Sequence, residues 1–330
     1  MKASLSVVTL VVLGGVARSA WADFTPGHVY VSDHGPEPCA GGPYPNDRIW
    51  DINPVTGAVS LFVEVPDEIC GFMTGLAFSP DGAHLRASVS STWTVLEFDP
   101  SAGISVGLDS RDGIISPAGS NNIAYDSAGN FYVMDLIAIR KFPPDGGPAT
   151  ILAEGVTVDS GPIAVLPDGD VLYGFAGLGS LPPTLYRVAP DGAVTVFDSI
   201  FAHSIAVSSA GDVFVLSGNV YRYPAGDPGN RELVAENFTN GAFSASMTLS
   251  PDESSLYVAN ATKLFGVNLS SGSVAELATI PGPYASFAGA GIAVYVPEPT
   301  TIVLLLAGMG LLGWRRRETT TVSRPYAARQ

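Results

Sequence analysis

The sequence predicts an all-β protein whose body is a six-bladed β-propeller. One phrase, an apolar first strand followed by a turn such as Pro-Asp-Gly, recurs at intervals of 40 to 47 residues. Propeller blades repeat with a period of about 40 to 50 residues. Residues 23–296 also lack a run of ten residues with helical periodicity. Each first strand carries one apolar anchor, and the anchors are Leu76, Ile123, Ile163, Ile205, Met247 and Ile292.

The start of the chain has the pattern of a secretory signal peptide. Lys2 supplies a positive charge, residues 5–16 form an apolar core, and Ala20 and Ala22 fit an A-x-A cleavage site. We therefore expect cleavage after Ala22 and a mature protein that starts at residue 23. Such a signal directs the body across the inner membrane.

The charge of the body excludes one large class of partner. Without both terminal segments, residues 23–296 retain nine basic and 29 acidic residues, a net charge of −20. A body this acidic repels phosphate backbones and anionic lipid. We therefore predict that the protein does not bind nucleic acid.

The two cysteines, Cys39 and Cys70, both lie in the exported body. In an oxidising compartment an even pair usually forms a disulfide. The alternative is a metal ligand or a catalytic thiol, but no Cys-x-x-Cys and no cysteine–histidine spacing supports it. Both cysteines are also predicted to lie on the same face of the propeller. We predict a Cys39–Cys70 disulfide.

Each period of the repeat contains four strands. The first carries the anchor, and the glycine of the following turn supplies the positive φ of a tight hairpin. The second strand is apolar and aromatic, the third alternates around one middle residue, and the fourth is short. Second strands of this kind are Val29-Tyr30-Val31, Phe131-Tyr132-Val133, Val171-Leu172-Tyr173, Val213-Phe214-Val215 and Leu256-Tyr257-Val258.

The two ends of the body are predicted to pair. The body opens with a second strand at residues 29–32 and ends with a first strand at residues 291–296. If this last strand completes the first blade, the ring closes. The pairing then removes the exposed sheet edges that a linear array of blades would leave at its two ends.

The blades resemble NHL-type repeats and the related SMP-30/gluconolactonase-like propellers. The third blade carries the resemblance best, in Asn122-Ile123-Ala124-Tyr125-Asp126, then Gly129 to Asp135, then Ile139-Arg140-Lys141-Phe142. The resemblance covers residues 27–295. Because its motifs are mostly turn and core residues, it implies the fold much more strongly than a function.

SMP-30-like lactonases hold a divalent cation at the channel mouth with a Glu, an Asn and an Asp. The resemblance implies Asn121 as the asparagine and Asp33 or Asp135 as the aspartate, and His203 occupies the position of Asn121 in another blade. The glutamate of that family is replaced by Ser160, and hard cations prefer several carboxylate oxygens. The alternative is that these polar side chains satisfy backbone groups at strand ends. We predict no catalytic residue and no cofactor, with a divalent cation at these four residues as the alternative.

The C-terminal region has three parts in a fixed order. Pro297, Glu298 and Pro299 precede an uncharged apolar run at residues 302–314, and Arg315, Arg316 and Arg317 follow it. A membrane-spanning helix needs about 20 apolar residues, so this run is a marginal transmembrane segment. The arginines favour a cytoplasmic location for that end. Residues 318–330 are polar and are predicted to be disordered.

This region resembles the PEP-CTERM sorting tail of Gram-negative bacteria. The resemblance implies a sorting signal at residues 297–317 that is read by an exosortase, a membrane-embedded cysteine transpeptidase. The alternative is a C-terminal anchor helix that is not processed. Either reading places the body outside the inner membrane, anchored there transiently or permanently.

The sequence therefore predicts a signal peptide (residues 1–22), a propeller (23–296), a sorting signal (297–317) and a disordered tail (318–330). We expect a non-enzymatic binding or scaffold protein of the cell envelope or the extracellular polysaccharide matrix. Its expected partners are an exosortase-type enzyme and either exopolysaccharide or an envelope protein. The alternative is a metal-assisted, SMP-30/gluconolactonase-like hydrolase.

Overall fold

The computed structural model describes residues 23–33, 47–66, 71, 73–89, 94–108, 122–135, 137–155, 161–175, 182–238, 245–280 and 291–297. Within these ranges the chain forms 24 strands in six four-stranded antiparallel sheets. A three-residue 3-10 helix, Pro224–Gly226, is the only helix that the described ranges contain. The prediction of an all-β, six-bladed propeller is confirmed.

The strands of blades 1 to 3, which come first in the chain, follow the predicted pattern. Blade 1 contributes β1 (Val29–Asp33), β2 (Arg48–Ile52) and β3 (Val59–Glu64). Blade 2 consists of β4 (Met73–Phe78), β5 (Leu85–Val89), β6 (Thr94–Asp99) and β7 (Gly103–Leu108). Blade 3 consists of β8 (Ile123–Tyr125), β9 (Phe131–Met134), β10 (Ala138–Phe142) and β11 (Thr150–Glu154).

The second half of the ring repeats this arrangement. Blade 4 consists of β12 (Ile163–Val165), β13 (Val171–Phe175), β14 (Thr184–Val188) and β15 (Val194–Asp198). Blade 5 consists of β16 (Ser204–Val207), β17 (Val213–Ser217), β18 (Asn219–Tyr223) and β19 (Glu232–Ala235). Blade 6 consists of β20 (Ala245–Leu249), β21 (Ser255–Asn260), β22 (Lys263–Asn268) and β23 (Val274–Thr279).

The last strand closes the ring, as the sequence predicts. β24 (Ile292–Val294) pairs antiparallel with β1 and becomes the first strand of blade 1. Beyond the strand, the Tyr295 N–H donates to the His28 carbonyl at 3.1 Å, and the Gly27 N–H donates to the Tyr295 carbonyl at 2.9 Å. The start and the end of the body are therefore joined at one face.

The core lies between the blades. The buried apolar side chains form six clusters, each combining residues of neighbouring blades. Because successive side chains of a strand point to opposite faces, the apolar strands of one blade pack against both neighbours. Burial of this apolar surface is the main stabilising contribution to the ring.

No described residue belongs to a helix that is long and apolar enough to cross a membrane. The predicted signal peptide at residues 1–22, the apolar segment at 302–314 and the tail at 318–330 all lie outside the described ranges.

Candidate functional site

The central channel is lined by small and apolar residues. Its volume is about 290 Å³, and the first strands of the six blades form its wall. One residue follows the anchor in each blade, and five of these six residues are alanines. They are Ala77, Ala124, Ala164, Ala206, Thr248 and Ala293. The described residues of this wall offer no charged side chain to a ligand.

The first of the predicted metal-binding aspartates is Asp33, at the end of β1. Its carboxylate is fully buried and accepts hydrogen bonds from the Arg48 guanidinium and, at 3.1 Å, from Trp50 Nε1. Arg48 also lies over the Trp50 ring, 5.1 Å from its centroid. Asp33 therefore contacts the positively charged Arg48 and the neutral N–H donor of Trp50, both of which belong to its own blade.

The second aspartate, Asp135, follows β9 in blade 3 and is also buried. Its Oδ1 accepts from the backbone N–H groups of Ile137 at 3.0 Å and Ala138 at 2.9 Å. Its Oδ2 accepts from Arg140 Nε at 2.6 Å. Asp135 therefore holds the turn between the second and third strands in place.

The remaining predicted metal residues are His203 and Asn121. The ring of His203 packs edge-on against Phe201, 4.4 Å between centroids, and burial lowers its pKa below the usual value. Asn121 lies outside the described residues, as do Cys39 and Cys70. Among the described side chains, no three of His, Cys, Asp and Glu are grouped closely enough to hold a metal ion. Asp33 and Asp135 belong to different blades.

Sequence reasoning missed Asp47, which directly precedes β2. Its carboxyl is fully buried, and Oδ2 accepts from the Gly71 N–H at 2.8 Å, while Oδ1 accepts no hydrogen bond of good geometry from any described residue. Burial, with a smaller contribution from the charge of Asp33, raises the pKa of Asp47 to about 7. No motif marks this residue, because its environment is created by the fold.

Sequence reasoning also missed a groove of about 920 Å³ between blades 2 and 3, hereafter the interblade groove. Arg86 and Glu97 lie within it, with Arg86 Nε donating to Glu97 Oε2 at 2.9 Å. The Arg86 guanidinium is 4.7 Å from the centroid of the Phe131 ring and 5.7 Å from that of Tyr125. His84 Nδ1 lies 3.4 Å from Glu97 Oε1 without the geometry of a hydrogen bond.

Comparisons with known proteins identify the tail and the fold. Residues 296–317 match the family described as the PEP-CTERM protein-sorting motif. A solved structure of the nidogen/laminin complex contains a chain that is 14% identical, with a TM-score of 0.62 over 82% of this chain and 99% of that chain. A gluconolactonase from Xanthomonas campestris is 18% identical, with a TM-score of 0.52 over 65% of this chain and 77% of that chain. No curated protein matches the chain.

At these identities the structural likeness shows the fold alone. The sorting motif implies that the protein is exported and that an exosortase-type enzyme processes it. The chain is thus a six-bladed β-propeller, similar to gluconolactonase-like structures, that carries a PEP-CTERM sorting motif at residues 296–317.

Proposed function

We propose that this protein is a non-enzymatic binding or scaffold module of the cell envelope or the extracellular polysaccharide matrix. Residues 1–22 are its signal peptide, residues 23–296 its propeller and residues 297–317 its sorting signal, followed by a disordered tail at 318–330. An exosortase-type enzyme processes the tail, and exopolysaccharide or an envelope protein binds the body.

The observation that carries this proposal is the short connection between the propeller and the sorting motif. β24 ends at Val294, and the matched motif begins at Val296. The Tyr295 ring packs against Phe78, 5.2 Å between centroids, at the face where β4 turns into β5. The chain therefore enters the tail on the face that carries the turns between first and second strands. In the anchored protein that face lies towards the membrane and the opposite face points away from it.

The chemistry of the described residues favours binding over hydrolysis. The channel wall is small and apolar, and Asp33 and Asp135 each contact an arginine of their own blade. A hydrolytic site needs a general base or an activated water near the substrate, usually with several converging carboxylates. The runner-up, a metal-assisted hydrolase, would need Asn121 together with one of these aspartates.

A Cys39–Cys70 disulfide fits the proposed exported state. The neighbour of Cys70, Gly71, donates its N–H to Asp47, which follows the loop that contains Cys39. Gly71 and Asp47, the described residues next to the two cysteine-containing segments, therefore meet at one edge of blade 1. A disulfide here would give a fall of about 2 Da in the mass of the exported protein relative to the reduced one.

Sorting is tested in a Gram-negative host that carries an exosortase. We expect the wild-type chain to lose its tail and to leave the inner-membrane fraction, whereas a variant with Pro297, Glu298 and Pro299 replaced by alanine stays there at full length. Identical size and fraction for both proteins would overturn the sorting proposal.

The hydrolase alternative is tested by calorimetric titration of the exported protein with Ca²⁺, Mg²⁺, Mn²⁺ and Zn²⁺. Saturable binding that Asn121→Ala abolishes would overturn the non-enzymatic proposal and justify a screen of lactones. Absence of binding at millimolar metal would support the binding module.

A further inference from the structure

Blade 2 departs from the other five blades at the centre of its second strand. In every blade this central residue pairs with the channel-lining residue of the first strand and with the middle residue of the third. In blade 2 it is Arg86, between Ala77 and Glu97. The other blades carry large apolar or aromatic residues there, namely Tyr30, Tyr132, Leu172, Phe214 and Tyr257.

Blade 2 also departs at its fourth strand. Each fourth strand has a β-bulge against the third, so that one residue has no direct partner. In blade 2 the bulged residue is Gly107. In the other blades it has a large apolar side chain, namely Phe62, Leu152, Phe197, Val234 and Leu277.

These two positions meet in the core of the ring. In each of the other five blades, the central residue and the bulged residue belong to the same apolar cluster. Between blades 2 and 3 the cluster contains only five buried residues, the fewest among the six clusters of the described residues. Two large apolar side chains are replaced by an arginine and a glycine, and the interblade groove occupies the space.

The polar groups of the groove are arranged for hydrogen bonding rather than for holding an ion. Arg86 and Glu97 neutralise each other, with two contacts of 2.9 and 2.8 Å to the same carboxylate oxygen. His84 Nδ1 is shielded from solvent and has no hydrogen-bond partner within the part of the chain that the structure describes. Besides His84, the ionisable Asp, Glu and Arg residues that line the groove are Asp81, Arg86, Glu97 and Arg140, and their formal charges cancel.

The apolar lining of the groove includes several flat surfaces. The half-buried Tyr125 ring lines it from blade 3, as do Pro143, Pro144 and Pro148. A volume of about 920 Å³ is within the range of small-ligand sites, about 300 to 1,000 Å³. Hydrophobic and aromatic side chains with a few oriented polar groups are a typical lining for such sites.

We propose that the interblade groove binds a neutral sugar chain. Sugar hydroxyls both donate and accept hydrogen bonds, which matches a guanidinium, a carboxylate and an imidazole placed side by side. The C–H faces of sugar rings match the tyrosine and proline surfaces, and the balanced charge gives no preference for an anionic or cationic ligand. This inference rests on the proposed function and gives it a ligand class and a location.

The test measures binding of the exported protein to neutral hexasaccharides derived from cellulose, dextran and mannan, with oligogalacturonate and a proline-rich peptide as competing probes. Gly107→Leu introduces a large apolar side chain, like those that the other blades carry at this position. Gly107 has a φ outside the left-handed region, and a Cβ there would approach Glu97 Cβ and the Val95 carbonyl oxygen no closer than 3.4 Å. We expect this variant to keep or raise the midpoint of thermal unfolding and to weaken glycan binding at least tenfold.

A second variant, His84→Ala, removes a hydrogen-bonding group without filling the groove, and we expect it to weaken binding about threefold to tenfold. Val196→Leu, on the exposed face of β15 in blade 4, is the control and should bind like the wild type.

If the wild type binds a neutral hexasaccharide and Gly107→Leu binds it within twofold of the wild type, the groove is not the site although the proposed function stands. Preference for oligogalacturonate or the peptide overturns the ligand class. Binding of no glycan overturns this inference, while the proposed function then rests on its other partner, an envelope protein.

Discussion

The ring of Tyr295 lies directly against Gly82, so that a Cβ on this glycine would come within 2.6 Å of the ring atom Cε2. Gly82 belongs to the turn between β4 and β5 and has a φ of +68°. Tyr295 follows the closing strand, and its ring also packs on Phe24, 5.6 Å between centroids. The closure of blade 1 is therefore supported by a contact with blade 2 that only a glycine permits.

We expect Gly82→Ala to destabilise the protein by about 2 to 3 kcal/mol. About 1 kcal/mol comes from a side chain at positive φ, and the rest from displacement of the Tyr295 ring. Gly211→Ala is the matched control, because Gly211 has a φ of +87° in the corresponding turn of blade 5 and an added Cβ there would have no atom of the described residues within 4 Å. Urea unfolding measures both variants, and an equal loss would show that the Tyr295 contact does not matter.

Phe24 provides a second test of the closure. Its ring packs against Tyr30, Phe62 and Phe78 at centroid distances of 5.7, 5.4 and 4.9 Å. We expect Phe24→Ala to cost about 3 to 4 kcal/mol, as for other buried phenylalanines. Asp23→Ala, at the exposed neighbouring position, should change the free energy of unfolding by less than about 0.5 kcal/mol. Similar values for both variants would show that the N-terminal segment does not contribute to the core.

The fold was predictable because each blade repeats the same local chemistry. The first-strand anchors, the turns and the apolar second strands recur with one period, and the unpaired second strand at residues 29–32 implied the closure by β24. The second strand of blade 2 contains Leu85-Arg86-Ala87, although this segment lacks the apolar central residue that the second strands of the other five blades have. The antiparallel pairing fixes this strand despite its polar residue.

The candidate site was less predictable because it depends on departures from the repeat. Arg86 and Gly107 lie 21 positions apart in the sequence, and only the register of β5, β6 and β7 shows that both replace core residues. In the same way, the unusual environment of Asp47 depends on Gly71 and Asp33, which the sequence does not place beside it. Comparison with the motifs of a family finds only positions at which that family has a site, so it could not point to Arg86, Gly107 or Asp47.

Asp135 distinguishes a structural role from metal binding. Removing its carboxylate leaves the Arg140 guanidinium and two backbone N–H groups without these acceptors, so we expect Asp135→Ala to cost about 2 to 4 kcal/mol. Asp145→Ala, in an exposed turn where the carboxylate accepts from the Gly147 N–H at 3.2 Å, should cost less than about 1 kcal/mol.

The two measurements are repeated with millimolar CaCl₂. Stabilisation of the wild type by calcium, absent from Asp135→Ala, would assign this aspartate to a cation site and contradict the structural role.

Asp47 predicts how the stability of the protein depends on pH. Its pKa is about 7 in the folded protein and near 3.8 when unfolded, so between these values the folded state retains a proton that the unfolded state has released. The resulting stability is fully present below about pH 4 and is lost as the pH rises through about 7. Asp47→Asn keeps a side-chain oxygen for the Gly71 N–H and cannot ionise. At pH 8 we expect the variant to be more stable than the wild type, by on the order of 2 to 4 kcal/mol.

At pH 4 the same two proteins should have nearly equal free energies of unfolding, because Asp47 is then protonated in the folded wild type. Asp191→Asn is the control, since Asp191 is exposed in a turn and accepts from the Ala193 N–H at 3.0 Å. It should shift stability by less than about 0.5 kcal/mol at either pH. Urea unfolding across this pH range measures the effect. A constant difference between Asp47→Asn and the wild type would mean that Asp47 does not titrate on folding, and a less stable variant at pH 8 would mean that its carboxylate is needed in the charged form.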